Sequence, residues 1–456
     1  VPTGCWVLKP YTYILGGDSI MVKRGLFIAI AVFAAVFVFS ACARKVEKLP
    51  VVREPEEKEK NNMELESMSL TKTTTQSVCI DYVIESYRNI QKFAYDLFAQ
   101  HIDSENPVLS PVSAYLALSM AGCGADGTTK EEFYNVLGND LLPLSDDMMN
   151  RFSIAGDMLN LSVANSAWLD DEFIVNDTWI GTVKSLMDAE VFQEDLSTEQ
   201  TMNKVNSWIN DKTNGLIDTM LSQPLTQQTR LALFNTVYFK GKWELPFEPQ
   251  NTHSEVFHLQ KEQENEKQVE MMNLYLTKLE YLSNDFMEGV LLPYQKNDEN
   301  NNLFAFIALK PTKENDIREV YQKLTDKVIS DILVNRQTET VNLKLPKFEI
   351  TFDKKLNESL MNIGLVECFN EKKANFDQLG KTSYNDTLYI DLVRQKAKII
   401  VDEEGTEAAA ATEVLMMDGA IMTNPKELYF NEPFIYIIMD METEVPLFLG
   451  ILDNPN

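Results

Sequence analysis

Between Glu403 and Met417 the chain reads Glu-Glu-Gly-Thr-Glu-Ala-Ala-Ala-Ala-Thr-Glu-Val-Leu-Met-Met, directly after a segment with clear strand alternation. At the period of two that a strand requires, one face carries Thr406, Ala408, Ala410, Thr412, Val414 and Met416, none of them charged. Both internal acids, Glu407 and Glu413, fall on the other face. Small inward residues first and larger ones later suit a segment that slides into a narrow gap between strands. A surface loop would instead show Gly, Pro, Asn and Asp turn chemistry. Four alanines beside glutamates equally suit a short helix, so the run alone leaves strand and helix open.

The remaining chain limits the choice. Met21 to Ala41 has the form of a secretory signal, with Lys23 and Arg24 ahead of the apolar run Gly25 to Phe39. That run is short for a membrane span. Phe39-Ser40-Ala41-Cys42 resembles a bacterial lipobox, which implies cleavage before Cys42 and lipid on its thiol; an uncleaved anchor or a non-lipidated cut is the alternative. Residues 1–20 precede a plausible initiator Met21 and suggest upstream sequence translated from an early start. From 42 to 78 the chain is rich in Lys, Glu, Thr and Ser without apolar periodicity, the composition of a flexible tether reaching about 30 Å on average. A folded body is expected over 79–456.

A formal net charge of -28 disfavours nucleic acid as a partner. The cysteines of the folded body, Cys79, Cys123 and Cys368, make no paired framework and no CxxC, and three histidines give a metal or His-based catalytic site little material. Gly122 to Thr129 lacks the Gly-Lys-Ser/Thr ending of a phosphate loop, and His253 and His258 form no HExxH pattern. Neither an enzyme nor a cofactor is expected.

Within the folded body, Val83, Tyr87, Ile90, Ala94 and Leu97 predict an amphipathic helix over Tyr82 to Ile102. Ser110-Pro111 supplies a cap and first turn for an apolar helix running to Ala121, and Thr128 with Glu131 predicts a capping box opening the next helix. Leu231 to Lys240 predicts a buried strand. Val341, Leu343 and Leu345 alternate, then Phe348, Ile350 and Phe352 continue on the opposite parity, predicting a bulge or bend at Pro346-Lys347. Leu388 to Val401 alternates again, and Pro433 to Asp453 predicts a hairpin turning at Glu442 to Glu444. Helices early and strands late predict an α+β domain.

Five separated stretches resemble the serpins, and bacterial members with lipoprotein signals in particular. They are Asn106 to Ser113 (NPVLSPVS), Asn235 to Trp243 (NTVYFKGKW), Leu345 to Phe348 (LPKF), Val401 to Ala411 (VDEEGTEAAAA), and Asn431 to Phe434 (NEPF) with Leu447 to Gly450 (LFLG). The resemblance implies three β-sheets, eight or nine helices and an exposed reactive-centre loop. It implies a monomeric suicide inhibitor of a serine or cysteine protease, held at a bacterial envelope, periplasmic or surface-exposed, through lipid on Cys42. The attacked loop would insert into the central sheet. About 15 residues from Glu404 to Gly419 extend roughly 50 Å, close to the ~54 Å diameter of a body this size.

Carried over residue by residue, the resemblance implies a hinge at Glu403, Glu404, Gly405, Thr406, Ala408, Ala409, Ala410, Ala411 and Thr412. Ser110, Ser113 and Asn235 match a polar cluster beneath the opening strands, with Gln395 where the family usually has histidine. Trp243 matches the aromatic where insertion begins, and Lys347 with Glu403 a basic and acidic pair near the hinge. Counting loop lengths leaves the scissile bond open among Asp418-Gly419, Gly419-Ala420 and Met422-Thr423. No Arg or Lys occurs from Glu403 to Pro425, so elastase-, chymotrypsin- or subtilisin-like targets are expected. A non-inhibitory surface binding protein is the alternative, and would show a bulky, charged or proline-bearing hinge.

Overall fold

The computed structural model describes residues 87–259, 266–296, 303–312, 316–382, 387–406 and 424–455. The signal, the tether, Cys42, Ala408 to Thr412 and Asp418 to Thr423 lie outside the described residues. The apolar spacing near the start produces helix α1, Arg88–Ala99, which buries Ile90, Phe93, Ala94, Leu97 and Phe98. Ser110, extended at φ -105° and ψ 96°, caps α2, Pro111–Gly122, by accepting a hydrogen bond from the Ser113 N–H at 3.4 Å. All residues of α2 are buried, as a helix apolar on every side must be. The expected Thr128–Glu131 capping box does not open the next helix, Gly127–Leu137. Asp126 caps it, its Oδ1 accepting from the Gly127 N–H at 2.8 Å. Gly127 takes φ +55°, which lets the cap sit earlier than Thr128 would place it.

The six-stranded sheet is built from β1, Leu159–Asp170; β2, Glu190–Glu194; β3, Leu231–Lys242; β4, Phe348–Lys355; β5, Leu392–Val401; and β6, Gly405–Thr406. Its order is β4-β5-β6-β3-β1-β2. A nine-stranded sheet holds the buried C-terminal hairpin Phe434–Asp440 and Val445–Leu452, and a third sheet pairs Phe173–Val175 with Gly380–Thr382. With nine α-helices among the described residues, six of them before residue 213, the domain is α+β. The parity change at Pro346-Lys347 is larger than a bulge. The strand Gln337–Pro346 ends in the nine-stranded sheet and β4 starts in the six-stranded one, with the Lys347 N–H bonded to the Glu270 carbonyl at 2.8 Å. One segment thereby stitches the two sheets together, and each half keeps its own inward face: Val341, Leu343 and Leu345, then Phe348, Ile350 and Phe352.

A single buried histidine couples this scaffold to pH. His101, just beyond α1, is 7% exposed, lies edge-on to Phe352 and has its Nε2 3.0 Å from the Ser359 hydroxyl. Burial, aided by Lys354, lowers its pKa to about 4. The unfolded chain gains its proton near 6.5, but the folded one resists until about 4. This contribution to stability is therefore complete above pH 6.5 and lost as pH falls towards 4. Discounted for partial solvation, it amounts to roughly 2 kcal/mol. In denaturant unfolding, the stability of wild type relative to His101→Gln should fall by about that amount as pH drops from 6.5 towards 4. Parallel curves would remove His101 from the account, while other titrating groups cancel in the comparison.

Candidate functional site

At the end of β5 the chain turns back into its own sheet. The Asp402 N–H bonds to the Gly405 carbonyl at 2.9 Å, and Asp402 Oδ1 accepts from the N–H groups of Glu404 and Gly405 at 3.0 and 3.2 Å. Burial raises the Asp402 pKa, with these two donors acting in the opposite sense. Past this turn β6 pairs with β5 through Val401↔Thr406 and with β3 through Gly405↔Lys242 and Thr406↔Gly241. Only glycine fits at 405, since a Cβ there would lie 2.0 Å from the Gly241 carbonyl oxygen. Thr406 is 3% exposed, and its hydroxyl lies 2.6 Å from that of Tyr294.

The turn is held from several directions. Trp243 donates its indole N–H to the Asp402 carbonyl at 2.9 Å and its backbone N–H to the Glu404 carbonyl at 2.8 Å. The Phe247 N–H reaches the Glu403 carbonyl at 2.8 Å. The Glu403 carboxylate takes the Lys347 ammonium at 2.7 Å and the Thr252 hydroxyl at 2.8 Å. Burial alone would raise the Glu403 pKa, yet the bonds from Lys347 and Thr252 outweigh it and bring it below the ordinary value. Because the Lys347 side chain is 39% exposed, water screens the pair, and it orients the turn more than it stabilises it. Trp243 itself is stacked on Tyr294, with ring centroids 4.8 Å apart and planes at 13°.

At the far end β3 and β5 meet directly, in parallel, through Leu392↔Ala232 and Val393↔Leu233. Among the described residues, 234–240 and 394–400 form no ladder with each other. Beneath this interval Gln395 grips the backbone at the start of α2. Its Oε1 accepts from the Ser110 N–H at 2.9 Å, and its Nε2 donates to the Ser110 carbonyl at 2.8 Å. Ser113, Asn235 and Gln395 border one small cavity. Asn235 donates to Asn165 Oδ1, and Asn165 donates onward to the Met187 carbonyl at 2.8 Å. A slot between two central strands, wedged at one end and closed at the other, is thus fastened from below by neutral amides.

The Serpin (serine protease inhibitor) family model matches residues 88–455 of the chain. The chain belongs to the serpin family. Serpins are generally protease inhibitors. Among its relatives are serpin-like proteins of Methanosarcina mazei, 31% identical with 82% of this chain and 88% of the relative covered, and of Thermococcus kodakarensis, 32% identical with 80% and 85% covered. Similar solved structures include the thermophilic serpin tengpin in its native state, 31% identical, TM-score 0.74, covering 81% of this chain and 94% of that one. Tengpin in its latent state gives 30% identity and a TM-score of 0.69, with 81% and 97% covered.

In this serpin the expected site residues fall into two groups. Glu403, Glu404, Gly405, Thr406, Trp243 and Lys347 gather at the wedged end of the slot, and Ser110, Ser113, Asn235 and Gln395 lie beneath it. The second group is not one network: Gln395 holds Ser110, whereas Asn235 turns to Asn165. Of the expected hinge residues, Glu403 and Glu404 lie in the turn and Gly405 and Thr406 are seated inside the sheet; Ala408 to Thr412 and the candidate scissile bonds lie outside the described residues. Sequence reasoning missed Asn165, Thr252, Tyr294 and Asp402. Asn165 had a signal, as a polar residue at a buried position of an apolar strand, and Asp402 had turn chemistry before Glu-Glu-Gly. Thr252 and Tyr294 had none, because each acts through a partner more than a hundred residues away.

Proposed function

We propose that this serpin is a suicide-substrate inhibitor of serine endopeptidases of elastase-, chymotrypsin- or subtilisin-like specificity, with cysteine endopeptidases as a further class. The attacked loop enters the six-stranded sheet, and the acyl enzyme travels with it and stalls. The observation that carries this reading is the seating of Gly405 and Thr406 as a short strand between β3 and β5. Strand insertion is favourable only if the incoming residues are small or apolar on the inward side, and the sequence after Thr406 keeps Ala408, Ala410, Thr412 and Val414 on that parity. The uninserted form is then held by a kinetic barrier and not by being the lowest minimum. The lipobox-like Phe39 to Cys42 supports presentation at a bacterial envelope through lipid on Cys42.

Incubation with elastase and with subtilisin, followed by denaturing electrophoresis, tests the proposal. A stable covalent complex is expected, and mass spectrometry of the released C-terminal fragment places the cut among Asp418 to Thr423. Complete cleavage without complex by every such enzyme would favour a non-inhibitory binding protein. Recovery of the mature protein only from the cytoplasm would remove the envelope part.

A further inference from the structure

Thr406 reaches the sheet with its hydroxyl aimed at the phenol of an aromatic wall. Tyr294 follows the strand Met287–Pro293 of the nine-stranded sheet, is 1% exposed, and packs against Trp243 and against Phe239, the latter at 4.9 Å. Its backbone is fixed as well: the Tyr294 N–H bonds to the Phe304 carbonyl, and the Gln295 side chain to the Trp243 carbonyl. Gly241, opposite Thr406, leaves room for the ring, since a Cβ there would lie 2.8 Å from Tyr294 Cδ1. Burial raises the phenol pKa, with the Thr406 contact acting the other way, so the group stays a neutral hydroxyl.

We propose that Tyr294 is a positioning residue that captures Thr406 and thereby sets the register in which the loop enters the sheet. This rests on the inhibitory reading above. Side chains alternate along a strand, so a slip of one residue would bring Glu407 and Glu413 to the inward positions. A neutral hydroxyl at the end of an aromatic stack satisfies threonine but offers a carboxylate a single hydrogen bond, too little to offset the desolvation of a buried ion. Capture of the first residue therefore selects the parity on which the alanines face inward.

The test is a double-mutant cycle of Tyr294→Phe and Thr406→Val, each of which deletes one hydroxyl and keeps the shape. Either single variant leaves the partner hydroxyl buried and unpaired, and should raise the stoichiometry of inhibition against subtilisin about fivefold. The double variant, apolar on both sides, should return to within about twofold of wild type. A Tyr294→Phe variant indistinguishable from wild type, or effects that simply multiply, would overturn the capture. Thermal midpoints of the intact proteins give a second readout that does not depend on protease trapping, and the same recovery is expected there. Wild type that traps no protease yet shows that recovery would sink the inhibitory reading and keep the contact. Trapping with additive midpoints and additive stoichiometries would do the reverse.

Discussion

Thr406→Arg should turn this serpin from a trap into a substrate: incubated with subtilisin, the variant is cut in its loop and leaves no covalent complex on a denaturing gel. Thr406 is buried between β3 and β5, and its side chain ends at the Tyr294 hydroxyl, a neutral group that cannot balance a guanidinium. An unpaired charge buried there costs about 4 kcal/mol or more, and 4 kcal/mol is roughly a thousandfold in the partition between insertion and release. The acyl enzyme would then hydrolyse before the loop could enter. Thr406→Ser, which keeps the hydroxyl, serves as the control and should trap protease nearly as wild type does. Covalent complex from Thr406→Arg at wild-type stoichiometry would sink the insertion mechanism.

Gln395→Leu should destabilise the fold at the lower cluster. The amide of Gln395 satisfies both the N–H and the carbonyl of Ser110, and all of these groups are buried. Leucine has similar bulk and neither bond. The Ser110 N–H would be orphaned at about 1–3 kcal/mol, whereas the Ser110 carbonyl keeps the Ala114 N–H at 3.2 Å, so a loss of about 1–3 kcal/mol is expected in urea unfolding. The same contact ties β5 to the cap of α2, and its loss should ease the opening of the slot. Inhibitory capacity of stored Gln395→Leu protein, titrated against subtilisin, should accordingly decay faster than that of wild type. A stability change under about 0.5 kcal/mol, the range of ordinary surface substitutions, would mean that another partner replaces the amide.

Local chemistry made much of this legible in advance. The Ser110-Pro111 cap, the buried runs of α2 and β3, and the C-terminal hairpin depend on neighbours in sequence, and the structure has them where the pattern places them. Thr128 shows the limit of such reading: its capping-box pattern was outcompeted by Asp126 two residues earlier. Pro346-Lys347 shows another, since a change of parity records that a strand changes face but not that it changes sheet. The same limit separates Asn235 from its expected partners, because an amide in a strand does not announce which neighbour it will bond.

By itself the sequence determined the kind of segment that follows β5: small, uncharged on one parity, free of proline, and introduced by turn-forming Asp402-Glu403-Glu404-Gly405. Those are properties of side-chain size and of a two-residue period, which need no knowledge of the fold. Only the tertiary structure decided that Gly405 and Thr406 sit between β3 and β5, that Thr252 joins Lys347 at Glu403, and that Thr406 meets Tyr294 across 112 residues. Pairing of that range is set by how the sheets pack against one another, and no local preference encodes it.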